Sequence, residues 1–155
     1  MNKKSIITAI LVGIIASFVF ILVQPLFGMT SLTSRHAAAY VALGGYGATS
    51  AMVLSWVVHI SVSVAYTLLS FIVMTLNRSW LVNLLQVILF GWITTLTATP
   101  ANELVVRWIT TEKFPALSSL AALNMEVGPK LWLHLIFFGF IVIGLFLTDV
   151  KANNK

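Results

Sequence analysis

Cysteine is absent from the 155 residues, which excludes disulfides, thiolate metal sites, iron–sulfur clusters and covalent c-type haem attachment and leaves the redox compartment unread. Charge is almost as scarce, with nine basic and four acidic residues making up 8% of the chain. None lies between Ser5 and Ser34, between His36 and Asn77, between Ser79 and Asn102, or between Leu131 and Thr148. Crossing a hydrocarbon core of about 30 Å takes about 20 apolar helical residues, and each charge-free run contains such a stretch. Catalytic motifs are missing too: there is no Gly-rich phosphate loop, no Gly-x-Ser-x-Gly elbow and no His-Glu-x-x-His. The four acids, Glu103, Glu112, Glu126 and Asp149, all fall outside the apolar runs without an evident carboxylate partner, so enzyme chemistry is poorly supported. The one hydrolytic pairing on offer is Glu103 with His134. Nucleic acid is excluded as a partner because the basic residues are scattered at the ends of the runs and form no patch.

What is present points to the lipid bilayer as the protein's solvent. Hydrophobic residues make up 59% of the chain and the mean hydropathy is +1.01, far from a soluble domain. The expected fold is all-α: one membrane domain over residues 1–155, a bundle of four transmembrane helices at about 5–27, 51–76, 80–99 and 131–148. The outer loops, 28–50 and 100–130, carry short helices. A signal peptide is the competing reading of the first run, but that run is longer than a 7- to 15-residue core and ends in Gln24-Pro25-Leu26-Phe27-Gly28. Asn77-Arg78-Ser79 leaves only a tight turn, which makes the second and third spans antiparallel neighbours.

Lys3, Lys4, Arg78, Lys151 and Lys155 fall on one side of this arrangement, and Arg35, Arg107, Lys113 and Lys130 on the other. The first side has the short segments, so both termini are expected in the cytoplasm of a bacterium, with the protein in its inner membrane. In the first outer loop, Thr33 to Leu43 followed by Gly44-Gly45 reads as a short helix with a glycine terminus. In the second, Thr99-Pro100 reads as the start of a separate surface helix, with Glu103 and Arg107 spaced as an i,i+4 pair. A further short helix is expected from Ala116 to Met125. The two halves also show a weak parallel repeat, in which Gln24-Pro25 matches Thr99-Pro100 and Trp56-x-x-His59 matches Trp132-x-His134.

Polar residues recur at helical spacing within the spans. Ser55, His59, Ser63, Tyr66, Ser70 and Asn77 share a face of the second, and Asn83, Gln86, Thr94 and Thr97 a face of the third. They are expected to point into the bundle, as hydrogen-bonding glue between helices or as the lining of a solute or proton path. Ala9, Gly13 and Ser17, with Gly139 and Gly144, supply small faces for close packing. His59 and His134 are the ionisable groups inside spans, each next to a tryptophan near the outer boundary. They suit three objects: the axial positions of one b-type haem, a quinone or lipid headgroup, or a metal ion with His36 as third ligand. The plain alternative is a hydrogen bond from each ring to a nearby serine or carbonyl.

The pattern formed by Trp56, His59, Tyr66, Gly91-Trp92, Pro100 and His134 resembles small four-span bacterial inner-membrane proteins that pair a Trp-x-x-His element with a later histidine. That resemblance implies a fold and a location and no activity; residues 110–130 extend beyond it. The expected role is a non-catalytic accessory or assembly subunit that docks to other membrane proteins or to its own copies. The alternatives are a haem electron carrier using His59 and His134 and a small transporter using the stripe of the second span.

Overall fold

The computed structural model describes residues 3–153; Lys155, counted above for orientation, lies outside them. Five helices follow in order: α1 (Lys3–Val23), α2 (Leu32–Gly44), α3 (Ala48–Leu76), α4 (Trp80–Thr111) and α5 (Pro129–Asn153). Helices α1, α3, α4 and α5 carry the four stretches long and apolar enough to cross a membrane. Their burial is inverted relative to a soluble bundle. Ser17, Ser55, Ser63, Thr67, Ser70, Gln86, Thr94 and Thr95 are buried, while Leu11, Ile15, Leu22, Val53, Leu89, Ile93, Ile143 and Leu147 face outward. Lipid is as apolar as leucine, so the outward leucines lose nothing there and polar groups gain by pairing inside. The protein is an integral membrane protein with four spans.

The tight pairs are α1 with α3 and α4 with α5, and α5 also packs on α1. Gly13 explains the first contact, since a Cβ there would stand 2.8 Å from the Val64 Cα. Gly91 allows the second, its missing Cβ lying 2.7 Å from the Leu135 side chain, and Gly144 meets Val12. Gly139 does not belong with these, because nothing lies within 4 Å of the position its Cβ would take. A buried cluster of Ala9, Val12, Ala16, Phe20, Phe71, Leu133, Phe137, Phe138 and Ile141 fills the centre. Helices α3 and α4, joined by the short turn, nevertheless make few contacts and splay apart.

Helix α1 ends in a 3-10 turn over Gln24–Phe27, closed by Gly28 at φ 69°. The buried Gln24 carboxamide then accepts from the Leu32 N–H at 2.8 Å and so caps α2. Helix α2 lies over the end of the bundle that carries the two long loops, termed outer here whichever side of the membrane it faces, against α3 and α4, tied by the Ser55 hydroxyl donating to the Thr33 carbonyl at 2.7 Å.

At Pro100 the sequence expectation fails. No new helix starts there; α4 runs through it for 32 residues, about 48 Å, which carries its end well beyond the hydrocarbon core. A proline removes the N–H that would bond the carbonyl four residues back, here that of Leu96. The Asn124 N–H donates to that carbonyl instead, at 2.9 Å. The second outer loop therefore descends along α4, held also by the Glu103 carboxylate accepting from the Ala121 N–H at 2.6 Å. Glu103 and Arg107 form the anticipated ion pair. The helix expected from Ala116 to Met125 is reduced to one 3-10 turn, Leu117–Ser119. The chain also behaves differently at the two matched prolines, ending a helix at Pro25 and continuing one at Pro100.

Candidate functional site

Where α3 and α4 splay, a cavity of about 110 Å³ opens in the outer half of the bundle. His59, Ser63 and Tyr66 reach it from α3, Thr94 and Asn102 from α4, and His134 from α5, with Phe20 and Phe137 forming an apolar wall. Exposed Val62 and Ala101 lie at its rim, between α3 and α4, facing the lipid.

Both histidines are buried, and each has one nitrogen committed to the protein. His59 Nε2 lies 3.0 Å from the Ser17 carbonyl; a carbonyl only accepts, so Nε2 carries the proton. His134 Nδ1 lies 2.9 Å from Thr95 Oγ1, and that hydroxyl is 2.7 Å from the Gly91 carbonyl. Both contacts are hydrogen bonds only when Thr95 donates to Gly91 and accepts from His134 Nδ1–H. Neutral rings in these tautomers keep a lone pair on His59 Nδ1 and on His134 Nε2.

The other polar groups lining the cavity are uncommitted. The hydroxyls of Ser63, Tyr66 and Thr94 and the carboxamide of Asn102 make no hydrogen bond among the described residues. These groups are open to the cavity and not sealed in the core, since none of their polar atoms is among the enclosed, unpartnered ones, so each is free to hydrogen-bond within it.

Not all of the sequence's candidate residues meet here. Ser55 is used up in holding α2. Ser70 and Gln86 are buried nearer the inner end, where the Ser70 hydroxyl and Gln86 Oε1 have no partner; Gln86 donates to Asn83 at 3.1 Å. Between these and the cavity stand Tyr66, Phe90, Phe137 and Phe138, in mutual ring contact through Phe138 at 5.1 to 5.5 Å. His36 lines a different, outer cavity. Among the described residues no three His, Asp or Glu side chains converge to hold a metal. Phe20 packs against both imidazoles, with ring centroids 5.5 Å from His59 and 5.7 Å from His134. A haem held by both rings would need the volume that Phe20 fills, and about 110 Å³ is below the range of cofactor-sized pockets.

Phe20, Thr95 and Asn102 were not singled out by the sequence. Thr95 had a faint signal in its i,i+4 spacing from Gly91; Asn102 had none, because Pro100 placed it outside the span. Comparison with known protein families, curated proteins and solved structures finds no match.

Proposed function

We propose that this protein is a non-catalytic accessory protein of the bacterial inner membrane that holds the hydroxylated head of a lipid-soluble molecule between α3 and α4. The observation that carries this reading is the cavity itself, lined by two imidazoles that are each held by the protein through a ring nitrogen and by hydroxyls without a protein partner. An imidazole nitrogen without its proton accepts only, so the favoured guest brings O–H donors. A quinol has two, and a diacylglycerol brings one with the same apolar character. Entry is sideways from lipid past Val62 and Ala101, and the polar head then exchanges membrane for the groups of Ser63, Thr94 and Asn102.

Titration of the protein in nanodiscs with an alkyl hydroquinone, its dimethyl ether and a diacylglycerol tests this. The hydroquinone is expected to bind at least tenfold more tightly than the ether, about 1.4 kcal/mol for the lost donors, and Ser63→Ala with His59→Phe is expected to remove the preference. Equal binding of the two, or binding of neither the hydroquinone nor the diacylglycerol, would sink the proposal. A second reading, transport, is favoured by one feature: the unpaired Ser70 and Gln86 groups continue the polar row beneath the aromatic plug. On that reading Phe138→Ala opens the plug and raises flux of the bound species into proteoliposomes.

A further inference from the structure

Above the histidine cavity, and sharing Leu32 and Asn102 with it, lies a larger cavity of about 610 Å³ between α2 and the projecting part of α4. That volume is in the ordinary range for a ligand site. Its polar lining comes from Arg35 and His36 on α2 and from Thr99, Asn102, Glu103, Arg107, Thr110 and Thr111 on α4, the last two with their hydroxyls donating to helix carbonyls. The Glu103 carboxylate is already matched by Arg107 and by the Ala121 N–H, and Arg107 donates further to the Ser119 hydroxyl. Three groups remain uncommitted, of which the guanidinium only donates while the hydroxyl and the carboxamide both donate and accept. The Arg35 guanidinium, the Thr99 hydroxyl and the Asn102 carboxamide have no partner among the described residues.

His36 adds a donor. It is 93% buried, and its Nδ1 is enclosed without a partner. With Nδ1 enclosed, Nε2 is the ring nitrogen open to the cavity, and on the proposal below it carries the proton. The outer cavity thus offers one unmatched positive charge, on the exposed Arg35, beside neutral groups able to donate. It sits where α4 leaves the hydrocarbon core, the depth of lipid headgroups.

We propose that this outer cavity binds the phosphate of a membrane phospholipid, with Arg35 as the principal contact and His36, Thr99 and Asn102 donating to the remaining oxygens. A planar guanidinium fork matches two phosphate oxygens at once, and the hydroxyl and carboxamide can each turn a donor to the remaining oxygens. The site shares Leu32 and Asn102 with the lower cavity, but Arg35, its principal contact, and His36 and Thr99 line the outer cavity alone.

Native mass spectrometry of the protein released from nanodiscs of phosphatidylglycerol or phosphatidylcholine, with inorganic phosphate added to delipidated protein in a parallel arm, reads the occupant. Retention of one phospholipid is expected, with Arg35→Gln lowering it at least fivefold and Arg35→Lys restoring part of it. Lys113→Gln, a cationic residue of the second outer loop that does not itself line the cavity, serves as the control and is expected to leave retention unchanged. Phosphate alone, bound in an Arg35-dependent way while no lipid is retained, would move the assignment to a soluble anion and overturn the lipid source. Retention that is equal in wild type and Arg35→Gln, or lowered as much by Lys113→Gln, would overturn the site itself.

Discussion

His36 is the residue whose surroundings are most at odds with its chemistry. Burial first, then the neighbouring Arg35 and the proximity of His59, lower its pKa from 6.5 to about 4. An unfolded chain would take up that proton near pH 6.5 while the folded one resists until about pH 4, so stability is present above 6.5 and is lost as pH falls between the two values. Thermal unfolding in detergent micelles from pH 7.5 to 4 is expected to show this fall, and His36→Gln to reduce its slope. The glycines give a second contrast at this scale. Gly13→Ala sets a methyl 2.8 Å from the Val64 Cα and is expected to cost about 1–3 kcal/mol, as overpacking does. Gly139→Ala meets open space and is expected to be neutral within about 1 kcal/mol, the two compared by the same melts. Sequence periodicity put both residues on small faces, because it reports which side of a helix a residue occupies and not how closely the neighbour approaches. The histidines were legible for a stronger reason, ionisable groups being rare inside apolar runs. Their tautomers were not, since those depend on Ser17 and Thr95 in other helices.

At the scale of elements, the boundaries set by glycine and by charge were readable, while the one set by proline was not. Helix α2 closes at Gly45 with φ 65°, a conformation glycine adopts without steric cost, and the turn at Asn77-Arg78-Ser79 is where the sequence placed it. Pro100 reads locally as a helix start, and locally that is sound. The structure overrides it by bringing the Asn124 N–H to the Leu96 carbonyl that proline leaves free, a partner 28 residues away in sequence that no local pattern announces. This bond is the test of the account. Asn124→Pro removes the donor and strands the carbonyl, with an expected cost of about 1–3 kcal/mol and faster amide exchange over residues 119–127. Asn124→Ala keeps the backbone bond and loses only the 3.5 Å side-chain contact to the Thr95 carbonyl, so it is expected to leave exchange near wild type. Equal effects of the two substitutions would show that the loop is held by other contacts.

Over the whole molecule, the same inversion that makes this a membrane protein also creates its candidate site. Splaying α3 from α4 while α1 and α5 close behind them leaves the polar faces of both helices turned toward one another across a gap, not packed together. The spans and the polar stripes could be read from spacing alone, but which helices pack tightly depends on Gly13, Gly91 and what each meets, so the gap itself was hidden. The gap and the outer cavity lie toward the end that carries α2 and the long second loop, and their proposed guests differ according to which side of the membrane that end faces. Charge places Lys3 and Arg78 on the opposite side from Arg35, Arg107 and Lys113, which predicts outer loops outside the cell. The absence of native cysteine makes this directly measurable. Lys3→Cys and Ser118→Cys, each the sole thiol in its variant and each at an exposed position, are to be treated in intact spheroplasts with a membrane-impermeant maleimide. Labelling of Ser118→Cys alone is expected, with Lys3→Cys reacting only after lysis. The reverse pattern would place both cavities on the cytoplasmic leaflet and redirect the search for the lipid to that face, while labelling of both before lysis would contradict four spans with the outer loops and the amino-terminal end on opposite sides.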